Sequence, residues 1–322
     1  MKILWVPNVN ITELTEETRA RILEAAGPDT EIITADSPGE AMELVEDVDV
    51  ILGQVGPALV ERAKSLKWMQ LAQAGADTYF TDKMRAMDFK LTSDKGLVGN
   101  QLAEQAFALL LALSRRVGQA VIDNSNSWEH RMDYRPQTFE LTGLTMGIVG
   151  FGGTGKALAR LAAGFGMKVI AVDAEPVEAT PEVSAVWSLD RLDELFRTSD
   201  VVASGLPLTD ATRGIFGART FGLMKPTALL INITRGELVD AEALVEAMRS
   251  GQIAGAGLDV APIEPLPPEH PLWTTPNVLM TPHIAGGSQF RTPRLLDRFC
   301  RNLVHLRLGE PLEGVIDRTK GY

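Results

Sequence analysis

The chain has 322 residues, 45% of them hydrophobic and 23% charged, which is the ordinary composition of a globular enzyme. Its length exceeds that of a usual single core and predicts two domains. Acidic residues outnumber basic ones 42 to 31, and the resulting net charge of −11 argues against nucleic acid and anionic lipid as partners.

The termini and the cysteine content narrow the class of protein further. The first residues run straight into a strand-like segment without the layout of a signal peptide, and the longest apolar run, residues 106–113, is too short to span a bilayer. The single cysteine, Cys300, excludes an internal disulfide and a thiolate metal cluster, and its place on an apolar helical face favours a buried, inert thiol. We therefore expect a cytoplasmic protein.

Short apolar segments alternate with helical patterns through the first hundred residues. Strands are predicted at residues 2–6, 31–34, 48–52 and 68–72, and helices at residues 14–25 and near 58–64. Ser37, followed by Pro38 and by Glu40 three positions on, is typical of a capping box that begins another helix. This alternation predicts a parallel sheet with helices on both faces.

Residues 101–114 form a helical pattern that is apolar almost all the way round. A helix of this kind is expected to be buried on every side. We interpret it as the crossover from the first domain to the second.

From residue 144 the alternation restarts more regularly. Strands are predicted at residues 146–149, 168–172, 201–204, 228–233, 255–259 and 278–281, with helices at 153–165, 188–197 and 241–250 and a short turn at 218–224. Six strands in this rhythm make a complete doubly wound dinucleotide fold. The last helix, residues 291–308, has one apolar stripe and is expected to pack back against the first domain.

The predicted fold class is therefore α/β, with two doubly wound parallel-sheet domains. A flavodoxin-like substrate domain would comprise residues 1–98 and 289–322, and a Rossmann domain that binds NAD would comprise residues 99–288.

A glycine-rich loop marks the expected cofactor site. Gly150, Gly152 and Gly155 fit the G-x-G-x-x-G pattern, directly after one predicted strand and at the start of the next helix. The first glycine permits the tight turn, the second lets a pyrophosphate approach the backbone, and the third allows close packing of helix on strand. The N–H groups of Gly153 and Thr154 would then face the anion at the positive end of the helix.

An acidic residue ends the following strand. Asp173 lies about 20 residues beyond the glycines, where a ribose-binding acid belongs. It would accept hydrogen bonds from the ribose diol and repel a 2′-phosphate, and Glu175 adds to that repulsion. The sequence thus favours NAD over NADP.

Three ionisable residues stand at or just beyond the carboxyl ends of late strands, where ligands bind in open α/β sheets. Arg235 offers a fork that can hold a carboxylate bidentately. His283 can give a proton to a developing alkoxide near neutral pH, and the nearby carboxylate of Glu264 would orient the imidazole and favour its protonated form. Together they match what the reduction of a keto acid requires.

With these residues the chain resembles the D-isomer-specific 2-hydroxyacid dehydrogenase family, which includes glyoxylate/hydroxypyruvate reductases, D-lactate-type dehydrogenases and phosphoglycerate dehydrogenases. The resemblance covers nearly the whole length. The motifs that carry it are the glycine loop and residues 73–77, 103–106, 206–209, 232–236, 258–259, 264–265 and 281–283.

The resemblance implies roles for individual residues. Arg235 would bind substrate, Glu264 would support the histidine, and His283 would be the acid and base. The turn of Ala74, Gly75 and Ala76 would hold the substrate carboxylate through backbone N–H groups. Contacts to the adenosine and nicotinamide ends of NAD are implied for three further residues, Pro207, Ile233 and Asp259.

The resemblance also has departures and leaves alternatives open. Gln105 stands where the family often has His, and residues 285–291 lack the family's common pattern, so the keto acid itself is not identified. A formate-dehydrogenase-like activity would favour Gln in place of Glu264, and an NAD(H)-sensing corepressor could retain the same three residues. No metal is expected, because the four histidines are scattered. The apolar helix at 101–114, together with the resemblance, predicts a homodimer.

Overall fold

A computed structural model describes residues 1–79, 81–123, 128–183 and 185–322. The chain divides into two compact units, the first made of residues 1–98 and 288–322 and the second of residues 99–287. Residue 288 thus lies with the first unit, one position before the boundary expected from the sequence. Both units contain a parallel sheet with flanking helices, which confirms the predicted α/β fold.

The first unit is built on a five-stranded parallel sheet of order β2-β1-β3-β4-β5. This is the flavodoxin-like order. Its strands are β1 (Lys2–Val6), β2 (Glu31–Thr34), β3 (Val50–Gly53), β4 (Trp68–Leu71) and β5 (Lys90–Thr92). Its helices are α1 (Glu16–Ala26), α2 (Pro38–Leu44), α3 (Pro57–Arg62), α4 (Asp82–Ala86) and, after the second unit, α12 (Arg291–Leu308). At the start of α2 the Ser37 side chain accepts from Glu40 N–H, whereas the Glu40 carboxylate accepts from Asp36 N–H.

Helix α12 packs within the first unit. Phe299 is fully buried and stacks on Trp68 of β4, with ring centroids 5.0 Å apart. Arg298 donates from Nη1 to the carbonyl oxygens of Ser93 and Lys95 at 3.0 and 2.8 Å. The helix therefore closes the sheet on one face and fixes the segment that follows β5. Cys300 lies at the edge of this core, where burial raises the pKa of its thiol.

The second unit is built on a seven-stranded parallel sheet of order β12-β11-β10-β9-β6-β7-β8. Its strands are β6 (Thr145–Val149), β7 (Lys168–Val172), β8 (Val186–Trp187), β9 (Val201–Ser204), β10 (Leu229–Asn232), β11 (Gly255–Leu258) and β12 (Val278–Met280). Its helices are α5 (Gly99–Ser114), α6 (Val117–Asp123), α7 (Arg131–Tyr134), α8 (Gly153–Gly164), α9 (Leu192–Thr198), α10 (Ala218–Phe221) and α11 (Ala241–Arg249). The prediction of six strands was wrong by one, because the two-residue β8 pairs with β7 at the sheet's edge.

Helix α5 packs on α8 and on strands β10 and β11 of the same unit. Leu109 and Leu110 are buried there, but Ala108 is exposed and Leu111 is half-buried. The expectation that this helix is buried on every side was therefore wrong for the single chain. One side of the helix is packed, whereas its exposed side carries Asn100, Glu104 and Ala108.

No helix in the described part of the chain is long and apolar enough to cross a membrane. Over the same residues, no group of three or more His, Cys, Asp or Glu side chains is arranged to hold a metal ion.

Candidate active site

The three late strands that precede the candidate catalytic residues are neighbours in the sheet. β10 pairs with β11, and β11 pairs with β12, all in parallel. Because parallel strands end at one edge, the loops that carry Arg235, Glu264 and His283 leave the sheet side by side. The three candidate catalytic residues therefore lie on loops that follow three adjacent strands of one unit.

His283 and Glu264 form a direct pair. The imidazole Nδ1 lies 2.6 Å from Oε2 of Glu264. The exposed fraction of the side chain is 49% for His283 and 37% for Glu264. The other carboxylate oxygen of Glu264 accepts from Ala261 N–H at 2.9 Å, which fixes the carboxyl group. Since Nδ1 is bonded to the carboxylate, Nε2 is the ring nitrogen that can exchange a proton with another molecule.

The backbone turn at His283 is left-handed, with a φ of 53°. A residue other than glycine adopts this conformation only where its surroundings hold it, at a cost of order 1–3 kcal/mol. His283 N–H donates to the carbonyl oxygen of Asp259 at 2.8 Å and so ties the turn to the end of β11. The imidazole is thus aimed by a turn that the neighbouring strand end holds in place.

The loop of Arg235 is held by the buried side chain of Asn232. The Asn232 amide donates to the Arg235 carbonyl oxygen at 2.7 Å and accepts from Thr234 N–H at 3.2 Å. A Cβ atom on Gly236 would collide with the carbonyl oxygen of Ala261, so this loop lies directly against the one that leads to Glu264. The half-buried guanidinium of Arg235 is therefore carried on a fixed loop beside the His283–Glu264 pair.

The glycine loop has the close contacts that its residues predict. Gly150 has a φ of 91°, and a Cβ there would lie 2.8 Å from the carbonyl carbon of Gly205. A Cβ on Gly155 would collide with the carbonyl oxygen of Gly150, whereas one on Gly152 would meet nothing within 4 Å. No side-chain cap bond forms at Gly152, the N-cap of α8, so the first amides of the helix, at Gly153 and Thr154, are not used by a capping side chain. This is a cradle that fits a dinucleotide pyrophosphate.

Asp173 lies at the end of β7, the neighbour of β6, and it makes two bonds that the sequence did not predict. Its Oδ2 accepts from Phe151 N–H at 2.6 Å and its Oδ1 accepts from Glu175 N–H at 2.9 Å. The half-exposed carboxylate thus braces the glycine loop, with lone pairs left over for a ribose diol.

The remaining cofactor candidates differ in how accessible they are. Pro207 is half-buried, and its carbonyl oxygen accepts from the Thr212 hydroxyl at 2.8 Å. The side chains of Ile233 and Asp259 are buried, at 3% and 0% exposure, and Ile233 belongs to the hydrophobic core. Sequence analysis did not foresee that the Asp259 carboxylate accepts bonds from the turn of His283.

The turn of Ala74, Gly75 and Ala76 follows β4 in the first unit. Gln73 donates from its side chain to the Gly75 carbonyl oxygen at 2.8 Å, and its own carbonyl oxygen accepts from Asp94 N–H at 3.0 Å. The buried Asp94 carboxylate pairs with Arg291 at 3.3 Å, and burial raises its pKa to about 6 against the lowering effect of that guanidinium. This turn therefore has its own support, in the unit that does not contain the His283–Glu264 pair.

Comparison with known proteins places these features in a family. Residues 107–285 match the model of the NAD binding domain of D-isomer specific 2-hydroxyacid dehydrogenases. The chain is 35% identical over 287 residues to a glyoxylate reductase of Thermococcus onnurineus, covering 86% of this chain and 85% of that one. It is 36% identical over 282 residues to a glyoxylate reductase of Thermococcus litoralis, covering 84% of each.

Solved structures agree over the whole length. A D-isomer specific 2-hydroxyacid dehydrogenase family protein from Aeromonas salmonicida superposes with a TM-score of 0.81 at 30% identity, covering 98% of this chain and 99% of that one. An NADPH-dependent glyoxylate/hydroxypyruvate reductase from Sinorhizobium meliloti, in complex with NADP and sulfate, superposes with a TM-score of 0.82 at 28% identity and full coverage of both chains.

Proposed function

Since the chain belongs to the D-isomer specific 2-hydroxyacid dehydrogenase family and is a nicotinamide-dependent oxidoreductase acting on CH–OH donors, we propose that it interconverts a small 2-keto acid and the D-2-hydroxy acid with NAD. The observation that carries the proposal is the His283–Glu264 pair, 2.6 Å apart, which joins the loops that follow β12 and β11, next to the end of β10 that leads to Arg235.

The proposed reduction needs a proton at the carbonyl oxygen and a grip on the carboxylate. NADH, when bound, supplies the hydride that reaches C2. Nε2 of His283 gives its proton to the developing alkoxide while Nδ1 stays bonded to Glu264, whose negative charge stabilises the imidazolium. Arg235 holds the carboxylate through two parallel N–H bonds, and we also propose a carboxylate-binding role for the backbone N–H groups of the Ala74–Gly75–Ala76 turn.

A substrate panel tests the proposal directly. NADH oxidation is followed with glyoxylate, hydroxypyruvate, pyruvate and further 2-keto acids, and formate oxidation with NAD is run beside it. Turnover of a 2-keto acid with formation of the D-hydroxy acid is the expected result. An NAD(H)-sensing corepressor would bind NADH without turnover, and a formate-dehydrogenase-like enzyme would be active in the formate arm only. Glu264, rather than Gln, at the histidine-supporting position favours the first of these outcomes.

Cofactor preference should depend on Asp173. We expect the wild type to prefer NADH over NADPH roughly tenfold or more, because the carboxylate accepts from the ribose diol and repels a 2′-phosphate. Asp173→Asn should narrow that preference, and it should also weaken NADH binding because an amide has a single acceptor oxygen and cannot accept from both Phe151 N–H and Glu175 N–H. Titration of both cofactors by fluorescence, with kcat/KM for each, measures the effect.

Glu175→Gln is the matched control for NADH binding, although it should itself narrow the cofactor preference slightly because its charge adds to the repulsion of a 2′-phosphate. It removes the charge of residue 175 but keeps the backbone N–H that donates to Asp173, so NADH binding should stay near that of the wild type. A wild type that uses both cofactors equally well would contradict the role given to Asp173.

We further propose a homodimer formed through the cofactor domain. Five large apolar side chains in the segment that follows α5 are exposed, namely Val117, Val121, Ile122, Trp128 and Met132, with exposures of 52%, 69%, 71%, 80% and 69%. So many exposed apolar side chains in one short segment are typical of an interaction surface, and a second copy of the chain would cover them together with the exposed side of α5.

Sedimentation velocity over a hundredfold range of concentration should give a dimer for the wild type. Ile122→Glu should shift the population to monomer, because it places a charge in the proposed interface. Leu308→Glu, which alters an exposed apolar side chain at the end of α12, should remain dimeric. A wild type that is monomeric at every concentration would rule the dimer out.

A further inference from the structure

A chain of three polar side chains runs from helix α5 to the turn that carries His283. Nε2 of Gln105 donates to the Thr281 hydroxyl at 2.9 Å. That hydroxyl donates to Oδ1 of Asp259 at 2.5 Å. None of the three residues belongs to the His283–Glu264 pair, and Gln105 and Thr281 have no part in the chemistry described so far.

The last member of the chain, Asp259, holds the turn. Its fully buried carboxylate accepts from Ile284 N–H at 3.1 Å and from Ala285 N–H at 2.8 Å, while its carbonyl oxygen accepts from His283 N–H at 2.8 Å. The left-handed backbone of His283 is therefore bracketed by bonds to one residue. A small rotation of the Asp259 carboxylate would move both amides that follow His283.

The donor-to-acceptor direction of these hydrogen bonds limits which residue types can stand at each position. An ionised carboxylate only accepts, so the single hydroxyl proton of Thr281 must go to Asp259. The hydroxyl oxygen is then free to accept, and only the N–H₂ end of the Gln105 amide can supply the proton. Position 105 therefore requires a hydrogen-bond donor.

Helix α5, which carries Gln105, is itself held against strands β11 and β12. Arg116, just beyond the helix, donates from Nη1 to Oδ1 of Asn277 at 2.6 Å, directly before β12. Leu109 lies against Gly257 of β11, where a Cβ would approach its Cβ to 2.8 Å. The helix is thus tied to the start of β12 by Arg116 and to its end by Gln105.

We propose that Gln105 is a positioning residue for His283, acting through Thr281 and Asp259 to set the orientation of the turn. The catalytic consequence rests on the proposed function, whereas the orientation of the imidazole does not. Loss of a single neutral hydrogen bond should lower kcat roughly 3- to 10-fold. The KM values for NADH and the keto acid should change less than kcat, because Gln105 and Thr281 are not among the residues proposed to contact either ligand.

Four variants test the proposal. Gln105→Met keeps the size of the side chain and removes the donor, Gln105→His keeps a ring N–H, and Gln105→Glu replaces the donor with a second acceptor. Gln252→Met makes the same change as the first variant at an exposed glutamine before β11. We expect kcat to rank in the order wild type and Gln252→Met, then Gln105→His, then Gln105→Met, then Gln105→Glu.

Histidine NMR of the cofactor-free protein gives a readout that is independent of activity. The chain has four histidines, so the His283 ring signals can be assigned with His283→Asn. Gln105→Met should shift or broaden the His283 signals and leave those of His130, His270 and His305 in place, and Gln105→His should restore the His283 signals.

Two results would overturn the positioning role. One is a Gln105→Met variant with unchanged His283 signals, whatever its kcat. The other is a loss of kcat that Gln252→Met reproduces. A wild type that reduces no 2-keto acid would instead refute the proposed function, and the NMR comparison would still decide the role of Gln105.

Discussion

Replacing His283 with asparagine should lower kcat for keto-acid reduction by roughly 10²–10⁴-fold, the usual contribution of general acid catalysis. Asparagine retains polarity and approximate size, but its side-chain amide cannot give up a proton near neutral pH as an imidazolium can. Binding of NADH should be nearly unchanged, because the cofactor is held by the glycine loop and Asp173 in the proposed complex. The measurement is a pair of pH–rate profiles, with NADH affinity determined separately by fluorescence titration.

Two further variants make that result specific. His305→Asn changes a histidine of α12, outside the candidate site, and should leave kcat at the wild-type level. Glu264→Gln should cost less than His283→Asn, because the imidazole that gives the proton remains and only its carboxylate partner is replaced by a neutral amide. A His283→Asn enzyme that keeps a near wild-type rate and the same pH limb would mean that another group is the acid.

The strands of the second unit could be predicted closely from the sequence. Residues 168–172 and 201–204 were predicted as strands with the bounds that β7 and β9 have. Parallel strands covered on both faces consist of continuous apolar residues, and glycines and helix caps delimit them. The positions of Arg235, Glu264 and His283 at adjacent strand ends then followed from topology alone.

The short elements could not be predicted in the same way. β8 has two residues and β5 has three, so neither reaches the four or more alternating residues by which a strand is recognised in a sequence. β8 exists because Val172 pairs with Trp187, and Asp173 N–H donates to the carbonyl oxygen of Trp187 at 3.0 Å. Elements that depend on a neighbour for most of their stabilisation leave little local pattern to detect.

Within the site, the residue types were predictable and most of their bonds were not. Asp173 was expected to face a ribose, and nothing in the sequence indicated that it also accepts from Phe151 N–H, 22 positions away. Asp259 was assigned to the cofactor through the resemblance, yet its carboxylate accepts from the turn of His283. Such bonds depend on side-chain direction and loop geometry, which spacing along the chain does not encode.

Arg235→Ala should have the second largest effect, and it should fall mainly on KM for the keto acid. A charge-assisted pair of hydrogen bonds contributes about 1.5–3 kcal/mol, so kcat/KM should drop roughly 10- to 100-fold. Some loss of kcat is expected as well, because the guanidinium also polarises the carbonyl in the proposed complex. Steady-state kinetics with one good substrate, together with NADH titration, would measure both changes.

Arg235→Lys separates the charge of Arg235 from its geometry. Lysine keeps the positive charge but cannot present two parallel N–H groups, so its kcat/KM should lie between those of the wild type and Arg235→Ala. Arg219→Ala removes an exposed arginine of α10 that pairs with Asp193 at 2.7 Å, and it should leave both constants unchanged. If Arg235→Ala binds the keto acid as tightly as the wild type does, then Arg235 does not hold the carboxylate. The binding energy for the substrate would then have to come from other groups, of which the backbone amides at Ala74–Gly75–Ala76 are the first to test.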